Sequence, residues 1–285
     1  MEFKVLKEEK SILKVNWFFL ITMIWSILSQ FIPTPANFYQ YIAFLIPISI
    51  YLFLNRDDAE RIVKPDMLNF SSIVIIFLIW LGVLPLIFLL VEIYVKLFGS
   101  ALPDMVAQDA HDSLFINFFF VAVTPAILEE ILLRGIILDG YRHKSRFVAA
   151  LANGLLFGML HLNFFQFFHT FVAGFLASYL VFATNSIFAG IFMHMVNNGL
   201  PLIINYLYPI DPNMEIVEQT NFLSLTIFAI LGIVMVFRLI RLLFKVNNTP
   251  LKEDREISKE RVFNLPLIFS ILIFAGFSVL ILFII

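Results

Sequence analysis

Residues 121–138 read VAVTPAILEEILLRGIIL. The stretch is apolar except at Thr124, Glu129, Glu130 and Arg134, and it shows no strict alternation. It therefore reads as a helix crossing hydrocarbon, where backbone groups must pair within a single segment. An ionisable side chain at that depth is costly unless it has a partner or a task. Glu129 and Glu130 are neighbours in sequence, yet they point about 100° apart around a helix. Glu130 and Arg134 are four residues apart with the acid first, the favourable order for an ion pair, so each offsets the burial of the other. Glu129 lacks that local partner and is the candidate general base, a group that takes a proton from water. Pro125 has no amide hydrogen and so frees the carbonyl of Val121, four residues earlier.

Outward from this stretch, the whole chain is of the same kind. Hydrophobic residues make up 61% of it and charged residues 14%, with a mean hydropathy of +0.94, well outside the range of soluble domains. Nine apolar runs fall near 15–33, 38–54, 70–98, 114–138, 147–163, 165–183, 186–207, 222–244 and 265–285. Most exceed the roughly 20 residues needed to cross a bilayer, and the second and fifth are short. The fold expected is an all-α, polytopic transmembrane bundle of eight or nine helices. Its organisation is an N-terminal membrane segment over 1–113, a four-helix catalytic core over 114–207, and C-terminal helices with a basic connector over 208–285. Cysteine is absent, which excludes disulfides, thiolate nucleophiles and cysteine-ligated metals. Glu2, Glu8 and Glu9 interrupt the basic N-terminal stretch and no small-residue cleavage site follows, so the first run is expected to be a retained helix.

Charge in the connections orients the bundle. Lys4, Lys7, Lys10 and Lys14 precede the first run, Arg56, Arg61 and Lys64 follow the second, and Arg142, Lys144 and Arg146 follow the fourth. Arg238, Arg241, Lys245, Lys252, Arg255, Lys259 and Arg261 gather around the end of the eighth. The opposite loops, 99–113 and 208–221, carry Asp104, Asp109, Asp112, Asp211, Glu215 and Glu218 with no Lys or Arg. The basic side is cytoplasmic by the positive-inside rule. The expectation is an integral protein of the cell (inner) membrane with its amino terminus in the cytoplasm. Lys96 alone sits on the wrong side. The segment 247–264 reads as a solvated connector, with a short surface helix as the alternative.

Two further patterns lie in apolar runs. Phe157 and His161 stand one turn apart in the fifth, where Gly154 and Gly158 form a small face suited to close helix packing within the chain. His194 and Asn198 stand one turn apart in the seventh, a pair of hydrogen-bond donors or part of a metal site. His111, His143 and His169 match no pattern and are assigned to loops or packing.

The order and spacing of EExxxR (Glu129, Glu130, Arg134), FxxxH (Phe157, His161) and HxxxN (His194, Asn198) resemble the three motifs of the CPBP family of intramembrane proteases. That family includes the type II CAAX prenyl endopeptidases, the Abi group and bacteriocin-immunity proteins, and the likeness covers residues 115–205. The resemblance implies a helical bundle whose motif residues converge on a cavity open to the cytoplasm. Glu129 would activate water with help from His161, His194 and Asn198 would stabilise the oxyanion, and Glu130, Arg134 and Phe157 would support the site. The family is classed among metalloproteases. Glu129, His161 and His194 are candidate zinc ligands, although asparagine is an uncommon ligand and HExxH spacing is absent; a metal-free glutamate mechanism is equally open. The expected partners are the bilayer and a peptide or protein substrate, lipidated or not, and no nucleic acid. The alternative from another class is a non-catalytic interaction or immunity protein that binds a membrane partner.

Straight helices pose one difficulty. At 1.5 Å per residue, Glu129, His194 and His161 sit about 16, 12 and 22 Å from the inner ends of their helices. A shared site requires tilt, a kink at Pro125 or a re-entrant start to the fifth helix.

Overall fold

The computed structural model describes residues 10–103, 113–209, 221–252 and 258–284. Among them the chain forms a polytopic helical bundle without strands, built from α1 (Ser11–Ser29), α2 (Ala36–Leu54), α3 (Phe70–Phe98), α4 (Leu114–Gly140), α5 (Arg146–Leu160), α6 (Phe164–Thr184), α7 (Ile187–Leu207), α8 (Phe222–Val246) and α9 (Leu265–Ile284). All except α5 are long and apolar enough to cross a membrane. Lys4, Lys7, His111, Arg255 and the acidic residues of 104–112 and 211–218 lie outside the described residues.

The elements follow the apolar runs, with physical reasons for the offsets. The first helix begins and ends four residues earlier than the run 15–33; Pro33 and Pro35 disfavour helical backbone in the residues before them, which accounts for the early end. Side chains close the helix starts: Asn69, Ser145, Asn163 and Asn221 accept from Ser72, Val148, Gln166 and Ser224 amides at 2.8, 3.4, 2.8 and 3.1 Å, which satisfies donors that a helix start leaves orphaned. In α4, π-type turns at Phe118–Val123 and Ile131–Ile137 flank an α-helical stretch, Thr124–Glu130. Such wide turns inside helices often accompany functional sites.

Small residues set the closest helix contacts. A Cβ on Gly154 would come within 2.7 Å of the Phe171 carbonyl, and one on Gly174 within 2.9 Å of Gly154 Cα, so the small face of α5 packs on α6 in the same chain, as expected. Gly82 and Gly232 similarly let α3 and α8 touch backbone to backbone.

The connector between α8 and α9 differs from expectation. No helix forms in its described parts, and it is not simply solvated. Glu260 Oε1 accepts from the Leu13 amide at 2.9 Å, the His143 carbonyl accepts from the Ser258 amide at 2.9 Å, and Asn16 Nδ2 donates to Asn264 Oδ1 at 3.0 Å. Residues 258–264 therefore strap the start of α1 to the α4–α5 loop. The sequence shows the charge of this segment but not the orphaned amides at the start of α1 that it satisfies.

Candidate active site

The polar residues of α4 sort by face as helical geometry requires. Glu130 and Arg134 are each 1% exposed, with Nη1 2.9 Å from Oε1. The Arg134 guanidinium also lies 4.5 Å from the centre of the Phe157 ring, which shields the pair and gives the phenylalanine of FxxxH a physical role. Glu130 Oε1 reaches a second partner, His194 Nδ1, at 3.1 Å. Gly190, one turn before His194, makes that possible: a Cβ there would collide with the Glu130 carboxylate.

Glu129 turns to the adjacent face. It is 7% exposed, and the nearest charge-bearing group is His194, whose Nε2 lies 3.9 Å from its Oε2. That separation is too long for a direct hydrogen bond and suits one bridging water. His194 thus stands between the two glutamates, one on each ring nitrogen.

His161 follows the last residue of α5. The chain turns there through Leu162, whose φ of 57° is left-handed, while Asn163 Nδ2 donates to the His161 carbonyl at 2.8 Å. His161 Nδ1 lies 3.1 Å from the Phe157 carbonyl. A carbonyl can only accept, so Nδ1 carries the hydrogen and Nε2 keeps a lone pair. The Phe157 ring centre is 5.2 Å from that of His161 and 5.9 Å from that of His194, so one aromatic ring contacts both histidines and covers the arginine.

Asn198 answers the question raised by Pro125. Its Nδ2 donates at 3.1 Å to the carbonyl of Val121, the acceptor that proline leaves unpaired. Asn197 Nδ2 donates to Asn198 Oδ1 at 3.1 Å, and Trp80 Nε1 approaches Asn197 Oδ1 at 3.3 Å. A relay from α3 therefore fixes which way the Asn198 amide faces.

Glu129, His161, His194 and Asn198 all line one cavity of about 730 Å³. The structure brings His161 and Glu129 to the walls of one cavity, although the count along straight helices sets them at different depths. The same cavity takes in residues that the motifs do not mark. His169, expected to be loop or packing, lines it from α6 together with Gln166 and Thr170, and Gln40 lines it from α2. Their spacing on α6, with Ala173 and Ala177 following, is a one-face helical pattern that the sequence contained. Gln40 carried no such signal.

A catalytic zinc site needs three protein ligands around one point, with water in the fourth position. Among the described residues no three His, Asp or Glu side chains are grouped in that way, and one nitrogen of His194 is engaged by Glu130. As the side chains stand, they do not form a zinc cradle.

A cavity among membrane-crossing helices that gathers a buried carboxylate, two histidines and an oriented amide has the makings of an intramembrane hydrolytic site. Residues 111–200 match the family model described as Type II CAAX prenyl endopeptidase Rce1-like, in agreement with the CPBP resemblance. The matched family supports an intramembrane endopeptidase in general. No curated protein and no solved structure matches the chain.

Proposed function

We propose that the protein hydrolyses peptide bonds of membrane-associated substrates, with Glu129 as the base that activates water. The observation that carries this reading is the Glu129 carboxylate, buried in the cavity with no direct hydrogen-bonded partner and with His194 Nε2 3.9 Å away. Glu129 takes a proton from water as the hydroxide adds to the substrate carbonyl carbon, and His161 Nε2 helps to hold that water. Two donors face the oxyanion. Asn198 uses one amide hydrogen on the Val121 carbonyl and has a second to offer. His194 Nδ1 is anchored on Glu130 at 3.1 Å, and its Nε2 faces the cavity beside Glu129, where a hydrogen on it would be the second donor. Glu129 returns the proton to the leaving amine as the C–N bond breaks, giving a carboxylic acid and an amine. Donors held in this way typically contribute a factor of about 10² to 10³ each.

The test is cleavage of quenched reporter peptides, prenylated and plain, by purified protein in detergent, comparing wild type with Glu129→Gln, each with and without a zinc chelator. Activity lost in the variant and indifferent to chelator supports the mechanism. Loss on chelation would replace it with a metal site, and wild-type activity in Glu129→Gln would sink it. A folded wild type inert on every reporter would favour the interaction protein.

A further inference from the structure

The cavity is displaced toward one end of the bundle. It is lined by the first turns of α2 (Ala36, Asn37, Gln40), the start of α6 (Phe165, Gln166) and the second half of α3 (Ile87, Val91). Side-chain contacts tie these segments together at that end: Phe38 to Phe120 at 5.8 Å between ring centres, Tyr41 to Thr124 at 3.1 Å between hydroxyls, and Tyr94 to Phe165 at 5.2 Å between ring centres. Ala36 and Asn37 are exposed. At the other end the cavity has a floor. The Glu130–Arg134 pair fills it, Ile62 lies against Gly135 beneath, and residues 64–66 are pinned to the start of α7 by the Ile187 amide donating to the Lys64 carbonyl at 3.0 Å.

The floor side is also the basic side, and contacts confirm that its charges share one face. Lys14 near the start of α1 meets Asn55 just past α2; Arg61 and Arg142 both meet Asp139 near the end of α4; Arg146 at the start of α5 lies 5.0 Å from the ring centre of Phe244 near the end of α8. The mouth side has almost no cationic counterpart. Residues 99–113 and 208–221 contain no Lys or Arg. Lys96, the exception to the charge pattern, is held at 3.4 Å by Glu92 and lies 4.4 Å from the Phe222 ring centre, so its charge is locally balanced. Lysine and arginine in short connections stay in the cytoplasm.

We infer that the cavity mouth faces the non-cytoplasmic side of the membrane, and that the peptide segments it takes are those of exported or membrane-anchored chains lying on that side. This reverses the cytoplasmic opening that the family resemblance implies. The orientation stands on charge and fold alone; that the occupant is a peptide rests on the function proposed above.

The absence of cysteine makes the test direct. Single cysteines at Asn37, at the mouth, and at Arg56, at the basic end, both replace exposed residues, and intact cells carrying each variant are treated with a membrane-impermeant maleimide. Asn37→Cys is expected to label in intact cells, and Arg56→Cys only after permeabilisation. The reverse pattern, labelling of Arg56→Cys in intact cells, or an Asn37→Cys that stays unlabelled after permeabilisation would overturn the orientation. A second arm supplies quenched reporter peptide outside intact cells. Cleavage by wild type and not by Glu129→Gln supports the substrate side. Labelling as expected with no cleavage by wild type removes the proteolytic occupant and leaves the orientation supported.

Discussion

Helix α4 carries two acid–arginine networks of nearly the same composition, and they differ in everything that follows from depth. Glu130 and Arg134 meet at 2.9 Å with 1% of each side chain exposed. About a turn further on, Asp139 is shared by Arg61 and Arg142, whose side chains are 39% and 29% exposed. The Coulomb attraction between unit charges grows several-fold as the effective dielectric falls from that of water to that of a protein interior, and the cost of stranding one charge grows with it. The deep network is thus an all-or-none unit that fixes His194 beside Glu129. The shallow one is a set of nearly independent contacts at the membrane boundary.

Breaking the deep pair has the largest expected effect. Arg134→Met leaves the buried Glu130 carboxylate with His194 as its one remaining partner and should lower the unfolding free energy by about 3 kcal/mol, read as a large fall in thermal midpoint in detergent. Replacing both partners, Glu130→Met with Arg134→Met, should recover most of that stability without activity. A double variant as unstable as the single one would mean that packing against Phe157, and not charge, is what Arg134 contributes.

Glu129→Gln separates chemistry from scaffold next to the same pair. With the Glu130–Arg134 pair untouched, stability should hold near wild type while turnover falls by about 10³-fold, within the range for loss of a general base. Equal losses of stability and turnover would place Glu129 in the structural network and erase the distinction between the two glutamates. Gly190→Ala attacks the boundary between them. Its added methyl meets the Glu130 carboxylate, and the displacement should cost about 1 to 3 kcal/mol, with turnover falling as His194 loses its anchor. A neutral Gly190→Ala would show that Glu130 has room to move and does not position His194.

How much of this was legible depended on the range of the interaction. The apolar runs gave nine helices to within a few residues, and the four-residue step from Glu130 to Arg134 gave the buried pair, because both signals are local. The orphaned Val121 carbonyl was legible for the same reason, from Pro125 alone. That Asn198 would be its donor was not, because the contact joins helices far apart in the chain. Gly190 lay in plain sight on the stripe of His194 and Asn198, but a glycine announces nothing about the carboxylate it makes room for. Gln40 reaches the cavity from outside the core assigned to 114–207, and His169 from a face whose spacing was readable but resembled packing. Counting depth at a fixed rise per residue set His161 too far from Glu129, because it assumed parallel, regular helices, and α4 contains two stretches of π-type turns.

The smallest effect belongs to the shallow network, and its smallness is what the comparison requires. Arg61→Gln removes one partner of the buried Asp139, but Arg142 stays within 3.4 Å and both arginines reach water, so the loss should be about 1 kcal/mol and should shrink further in high salt. Its pH dependence has a definite sign. The Arg61 side chain holds the Asp58 carboxyl below the usual aspartate range, so that contribution is fully present above the ordinary aspartate value and disappears as pH falls through the lowered one. Thermal midpoints of wild type and Arg61→Gln should therefore differ slightly at neutral pH and converge in acid. A deficit approaching that of Arg134→Met, or one that persists in acid and in salt, would show that the boundary network is as cooperative as the buried one, and the contrast between the two networks of α4 would fail.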